Sequence, residues 1–140
     1  MQAAPQSLRL EAVIESLSAA SDFVRTGAIA AGLGGARLDE ATLVMEELFV
    51  NVASYAYPAG VKGVVEIAWS TPRPGVLAVE IADRGSAYDP LTRCEPPDHL
   101  TAPLEERPIG GLGLFLVRRM TTALAYRRDG EWNRLGFEMR

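Results

Sequence analysis

The sequence predicts an α/β (α+β) fold in which a mostly antiparallel, mixed sheet forms one layer and about three helices cover one of its faces. Several stretches alternate apolar and polar residues, a pattern typical of strands with one buried face. Strands covered on both faces would read as continuous apolar runs instead. Other stretches repeat apolar residues at helical spacing. A sheet with helices on one side is a two-layer sandwich, and its other side faces water or a partner.

The chain opens with a predicted strand and a predicted helix. Leu8, Leu10 and Ala12 alternate with polar residues, which indicates a strand near the N-terminus. From Ser16 to Ala31 apolar residues recur at every third or fourth position, and this spacing predicts a helix. Glycines beginning at Gly32 end it.

A second helix follows after the glycines. Asp39 is a plausible N-cap, because its side chain can accept a hydrogen bond from a free backbone N–H of the first turn. The apolar stripe then continues to about Ala56, and Pro58 and Gly60 stop the helix.

Two alternating stretches then form a predicted hairpin. Residues 64–70 and 77–83 each place apolar side chains on one face, and the prolines and glycine of residues 72–75 supply the turn. The same alternation puts Asp83 on the apolar face with Ile81, toward the helices.

The last third of the chain begins with a long loop. Residues 84–110 contain five prolines and no sustained period, and loops of this length in compact domains are usually functional or disordered. A helix is predicted at about Leu112 to Thr122 and a strand at Leu124 to Arg127. A final alternating strand ends at Met139.

Composition narrows the class of protein. A chain of 140 residues fits one domain, residues 1–140. Its net charge of −4 argues against direct nucleic-acid binding, and no apolar run approaches the ~20 residues of a membrane span. The N-terminus lacks the features of a signal peptide, and the single cysteine, Cys94, cannot form an internal disulfide, so we expect a cytoplasmic protein.

The second helix, "VMEELFVNVASYAYP", carries a candidate polar pair. Glu47 and Asn51 are one turn apart at the edge of the apolar stripe, where both could face a pocket. The alternative is a solvated surface glutamate and an asparagine that makes only local hydrogen bonds.

Asp83 is a second candidate because a carboxylate on the buried face needs hydrogen-bond donors. The stretch "DRGSAYDP" turns sharply after it. Asp83 could bond the backbone of its own turn, or it could accept a hydrogen bond from a ligand amine.

The glycines of "IGGLGLFLVRRM" open the third helix. No Lys-Ser/Thr pair follows, as a Walker loop requires, and no strand precedes, as a dinucleotide fingerprint requires. Backbone N–H groups at a helix N-terminus form a ready anion site, so the stretch is either a phosphate site or a flexible hinge.

The order of these three motifs resembles the Bergerat-fold ATPases, the superfamily of histidine kinase, gyrase and chaperone ATP sites. The phrases "EELFVNVASYAYP", "DRGSAYDPL" and "IGGLGLFLVRRM" are most similar to the bacterial anti-sigma-factor serine/threonine kinases. The resemblance covers nearly the whole chain.

The resemblance implies a role for each candidate. Asp83 would accept the adenine amino group of ATP, Asn51 would hold Mg²⁺ and Glu47 would be the general base. Residues 91–109 would form a lid over ATP. The nucleotide contacts implied by the two glycine motifs fall on Gly85, Ala87, Gly110, Gly111, Leu112, Gly113 and Leu114.

The resemblance also implies protein partners, and the sequence departs from the family pattern at two positions. A kinase of this family would phosphorylate an anti-sigma-factor antagonist, bind a sigma factor and form a homodimer. Ala87 stands where the family often has glycine, which favours an alternative: an ATP-binding switch with little kinase activity. Tyr55 stands where related ATPases often have histidine, and we expect it to pack.

Overall fold

The computed structural model describes residues 5–93 and 111–140. None of the helices in these two ranges is long and apolar enough to cross a membrane. The elements are β1 (Gln6–Glu11), α1 (Leu17–Ala30), α2 (Ala36–Asn51), β2 (Val64–Arg73), β3 (Val76–Asp83), α3 (Gly111–Met120), β4 (Thr122–Asp129) and β5 (Trp132–Met139).

The five strands form one sheet in the order β1-β2-β3-β5-β4. All four pairings between these strands are antiparallel, so the described sheet contains no parallel pair and is not mixed. Two hairpins, β2–β3 and β4–β5, supply most of it, and β5 pairs with β3 to join them. The predicted α+β class with one layer of helices is confirmed.

The core lies between the inner face of the sheet and the helices. Alternate residues of β2, β3 and β5 point inward, as the sequence pattern predicts, because side chains along a strand alternate between the two faces. Burying each large apolar side chain of this kind contributes about 1.5–3 kcal/mol. The largest fully buried side chains are Val24, Val44, Met45, Phe49, Val65, Ile67, Leu77, Val117 and Met139.

The other face of the sheet is polar, as predicted. Cross-strand ion pairs run over it, including Arg9 with Glu66 at 2.7 Å and Arg134 with Glu80 at 2.9 Å. Partly exposed pairs of this kind contribute at most about 1 kcal/mol each, and the face they cover is polar rather than a second apolar core.

The N-terminus of α2 differs from the prediction. The helix begins at Ala36, three residues before the expected cap Asp39. Gly35, with a φ of +54°, provides the non-helical conformation at the cap position. Asp39 lies in the first turn, where its charge faces the positive end of the helix dipole.

The C-terminal end of α2 also has a feature that the pattern did not predict. Regular α-helix ends at Asn51, and Val52–Ala56 continue as a wider π-helical turn. The predicted extent to about Ala56 is correct, but the wider turn changes which side chains point inward. Tyr55 is 51% exposed, so the expectation that it packs is wrong.

Gly27 brings α1 close to the sheet and gives a stability prediction. A Cβ on Gly27 would lie 2.6 Å from Cδ2 of the buried Trp69 ring. Overpacking of this kind costs about 1–3 kcal/mol, which outweighs the helix-propensity gain of about 0.5–1 kcal/mol from replacing glycine. Gly27→Ala should therefore lower the free energy of unfolding, measured by urea denaturation.

Gly34→Ala is the control, because no atom lies within 4 Å of its added Cβ and its φ is not positive. It should leave stability unchanged or raise it slightly. Equal stability changes in the two variants would contradict the close packing of α1 on Trp69.

Candidate functional site

Asp83 ends β3 and lies buried at the inner face, 8% exposed. Its Oδ1 accepts two hydrogen bonds of 2.9 Å, one from the Gly85 backbone N–H and one from Asn133 Nδ2. The turn interpretation of Asp83 is therefore correct for one oxygen. Neither of these two bonds uses Oδ2.

Asn133 organises the turn that follows Asp83. Its Nδ2 also donates to the Ser86 carbonyl at 2.9 Å, and its Oδ1 accepts the Tyr126 hydroxyl at 2.7 Å. The buried amide thus joins β3, β4 and β5 at one end of the sheet. Sequence reasoning missed it, although extending the alternation of β5 back from Leu135 would have placed Asn133 on the inner face.

Gly85 allows the turn to sit directly on the end of the α2 segment. A Cβ at this position would lie 2.1 Å from the Ala56 carbonyl oxygen. Because that neighbour is backbone, no side chain can be accommodated without moving the chain. The close approach places Asp83 beside the π-helical turn that follows Asn51.

Tyr57 supports the same turn from the other side. Its hydroxyl accepts the Arg84 backbone N–H at 2.7 Å and donates to the Val64 carbonyl. Burial raises the pKa of the Tyr57 phenol, while the hydrogen bond from Arg84 opposes that change. The hydroxyl is therefore protonated at neutral pH and can donate to Val64.

Glu47 lies against the first turn of α3. A Cβ on Gly113 would lie 2.1 Å from Glu47 Oε2, so the carboxylate lies directly against this glycine and would have to shift to admit a side chain. The positive end of the α3 dipole favours a negative charge at this position. The structure thus brings together the candidate glutamate and the glycine motif, which are 66 positions apart in the sequence.

Asn51 is the last residue of regular α2, one turn beyond Glu47. Both side chains are half-buried, beside the buried Leu48. The predicted location at the edge of the apolar stripe is confirmed for the pair.

The remaining candidates have simpler surroundings. Leu114 is buried in the core, so any contact with a ligand would fall on its backbone. Ala87 is exposed, and its φ is not positive, so its methyl group imposes no backbone strain. In the described ranges, the non-glycine residue with a positive φ is Ala123. Gly111 and Leu112 start α3.

Several predicted features lie outside the described residues. These are Gly110, Cys94 and the lid from residue 94 to residue 109. The first three positions of that lid, Leu91–Arg93, belong to a short 3₁₀ turn, Pro90–Arg93.

The described residues contain no group of three or more Cys, His, Asp or Glu side chains that could hold a metal ion. The Asn51 amide alone is a weak ligand. A Mg²⁺ ion at this site would need further oxygen ligands from a bound phosphate group, which is how proteins commonly hold Mg²⁺.

Comparison with known proteins agrees with this geometry. The histidine kinase-like ATPase domain family matches residues 10–138. The Serine/threonine-protein kinase BtrW of Bordetella bronchiseptica is 36% identical over 94 residues. The matched region covers 67% of this chain and 64% of BtrW, so it spans less than two thirds of that relative. The predicted resemblance to the superfamily is confirmed.

The two bonds of the Tyr57 hydroxyl can be tested by Tyr57→Phe. The change leaves the Arg84 N–H and the Val64 carbonyl without this partner, and each lost bond costs about 0.5–1.5 kcal/mol. We expect the free energy of unfolding to fall by about 1–3 kcal/mol in urea denaturation.

Tyr55→Phe is the matched control. It removes the same atom from a half-exposed side chain two residues earlier, and should change stability by less than about 0.5 kcal/mol. A Tyr57→Phe effect no larger than that of Tyr55→Phe would show that the hydroxyl does not hold the turn.

Proposed function

Because the chain belongs to the histidine kinase-like ATPase domain family, we propose that it binds ATP with Mg²⁺ and transfers the γ-phosphoryl group to a serine or threonine of a protein partner. The observation that carries the kinase proposal is the Glu47 carboxylate lying against Gly113, at the start of α3. A protein that only binds ATP has no need of a carboxylate there.

The adenine end of the proposed site is Asp83. Two donors already occupy Oδ1 and fix the carboxylate plane. In our proposal, Oδ2 accepts a hydrogen bond from the exocyclic amino group of adenine. The Gly85 turn, which packs against the Ala56 carbonyl, would lie beside the base.

The phosphate end is the first turn of α3. Its backbone N–H groups lack partners within the helix, and the dipole adds a partial positive charge. Gly111 and Gly113 carry no side chains of their own, so phosphate oxygens could reach their backbone N–H groups. This donor set fits a polyphosphate, and Asn51 would contribute an amide oxygen to the Mg²⁺ that accompanies it.

Glu47 would act as the general base. Its carboxylate would take the proton of the incoming hydroxyl as the hydroxyl oxygen forms a bond to the γ-phosphorus. The bond from that phosphorus to the bridging oxygen would break, and ADP would leave. When bound, Mg²⁺ would neutralise part of the negative charge on the phosphate groups of ATP. Phosphoryl transfer depends mainly on positioning and electrostatics, so few side chains are required.

The proposed partners follow the family resemblance. We propose an anti-sigma-factor antagonist as the substrate protein, a sigma factor as a binding partner, a homodimeric form and a cytoplasmic location. The similarity to BtrW, a serine/threonine-protein kinase, supports a protein substrate. The second candidate function is an ATP-binding switch with little kinase activity, which Ala87 in place of glycine favours.

Asp83→Asn tests the adenine assignment. The new amide can keep the Oδ1 acceptor, but it presents an N–H donor where the adenine amino group would also donate. We expect ATP affinity to fall at least about tenfold, as one lost charge-assisted hydrogen bond implies, measured by titration calorimetry.

Asp39→Asn is its control, since Asp39 is exposed in the first turn of α2. Wild-type affinity in Asp83→Asn would remove the adenine assignment. An absence of ATP binding by the unaltered protein would remove the proposed function itself.

Glu47→Gln tests the general base. The amide keeps the size of the side chain but cannot take a proton, so phosphate transfer from labelled ATP to the copurified partner should fall about 10²–10⁴-fold. ATP affinity should stay within about threefold of that of the unaltered protein, because Glu47 is not proposed to bind ATP.

Glu46→Gln is the neighbouring control, because Glu46 accepts a hydrogen bond from the Ser21 hydroxyl on the other side of α2, and glutamine can accept it too. It should retain transfer. Normal phosphate transfer by Glu47→Gln would exclude Glu47 as the general base. If the unaltered protein and both variants bind ATP but transfer no phosphate, the ATP-binding switch with little kinase activity is favoured.

A further inference from the structure

An open cavity of about 490 Å³ lies next to the Asp83–Gly85 turn, and nothing in the proposed ATP site accounts for it. Its lining includes Tyr57, Val61, Lys62, Arg84, Arg128 and Glu131. None of Glu47, Asn51, Asp83 or Gly113 lines it. The cavity is therefore separate from the proposed nucleotide site. The Asp83–Gly85 turn is common to both, because Arg84 of this turn lines the cavity.

The cavity is cationic in a chain whose net charge is negative. Lys62, Arg84 and Arg128 face a single carboxylate, Glu131, whereas the whole chain carries −4. A concentration of positive charge against the overall sign favours an anionic occupant.

Arg84 and Lys62 are available to a ligand, whereas Arg128 already donates to the Gly130 and Gly85 carbonyls and to Asn133 Oδ1. Arg84 pairs with Glu131, but their side chains are 50% and 74% exposed, so the pair is weak and a competing carboxylate can replace Glu131 at little cost. The Arg84 guanidinium also lies 5.6 Å from the Trp132 ring centroid, which holds it in place without using its hydrogen-bond donors. Lys62 makes no ion pair with any carboxylate in the described ranges.

Apolar surface lies beside these charges. The Tyr57 ring covers Gly63 so closely that a Cβ there would lie 2.1 Å from it, and Val61 is 53% exposed at the cavity. An occupant that combines carboxylates with a neighbouring apolar side chain would use both parts. Because the cavity is open, a small molecule in it would keep far more exposed surface than ligands in enclosed pockets do.

We propose that this cavity binds an acidic segment of a protein partner, with carboxylates on Arg84, Arg128 and Lys62 and an apolar side chain against Val61 and Tyr57. Arginine forks bind carboxylates with two parallel hydrogen bonds, which gives such a contact direction as well as charge.

The same residues connect the cavity to Asp83. Arg128 Nη1 donates to the Gly85 carbonyl at 2.8 Å, and Tyr57 holds the Arg84 N–H. An occupant that binds Arg128 or Arg84 would therefore change the contacts that hold the turn after Asp83. Docking and nucleotide affinity should be linked reciprocally, and this linkage, unlike the docking itself, rests on the proposed ATP binding.

Three probes test the docking: the peptide acetyl-Leu-Glu-Leu-Asp-Leu-Glu-amide, its neutral counterpart with Gln and Asn, and inorganic pyrophosphate. Each is titrated into the isotope-labelled full chain while backbone amide signals are followed by NMR. The acidic peptide should shift the amides of residues 61–64, 84–85 and 128–131 saturably. The neutral peptide should bind at least about tenfold more weakly, because it lacks the charge-assisted bonds.

A double variant identifies the cations. Lys62→Ala with Arg84→Ala should weaken the acidic peptide at least about fivefold, while the amide spectrum elsewhere stays folded. Arg9→Ala with Arg73→Ala removes two exposed cations from other parts of the sheet and should leave the peptide affinity unchanged.

Three results would overturn the proposal: equal binding of the neutral peptide, shifts that map away from the cavity, or saturable pyrophosphate binding there without peptide binding. ATP titrations with and without the peptide then test the linkage. Loss of ATP binding by the unaltered chain would end the proposed function, while the peptide titrations would still decide the docking site.

Discussion

The buried Asp83 carboxylate is the constraint on which the candidate site depends. A charge at the inner face of the sheet is costly unless donors surround it. Gly85 and Asn133 supply those donors on one oxygen, and the network continues to the hydroxyl of Tyr126. The end of β3, the turn after it and the start of β5 are therefore fixed as one polar cluster, and one carboxylate oxygen keeps its acceptor capacity.

Helix α2 connects this cluster to the other end of the site. Glu47 lies against Gly113 of α3, Asn51 follows one turn later, and the π-helical turn brings Ala56 against Gly85. Catalytic geometry is held most accurately by rigid elements whose packing leaves few alternatives. Glycine is required at position 85, because a Cβ there would collide with the Ala56 backbone, whereas a Cβ on Gly113 would displace only the end of the Glu47 side chain.

The proposed kinase and the proposed docking cavity would use opposite sides of one turn. On the cavity side, the backbone around Gly85 is held by Tyr57, Arg84 and Arg128. On the opposite side, Asp83 would accept a hydrogen bond from adenine. A protein that must respond to both a nucleotide and a partner needs a structural connection between the two sites. The backbone from Asp83 to Gly85 is short enough to provide one, since it leaves no flexible segment between them.

The sequence alone determined the layers of the fold and the faces of its elements. Alternation placed Asp83 inward, and helical spacing placed Glu47 and Asn51 together, because both patterns report side-chain direction within one element. Tertiary structure decided what each side chain meets. Asn133 donates to Asp83 across 50 positions of sequence, Glu47 lies against Gly113, and Gly35 rather than Asp39 is the N-cap of α2. These contacts follow from how separate elements pack, and local periodicity carries no information about that packing.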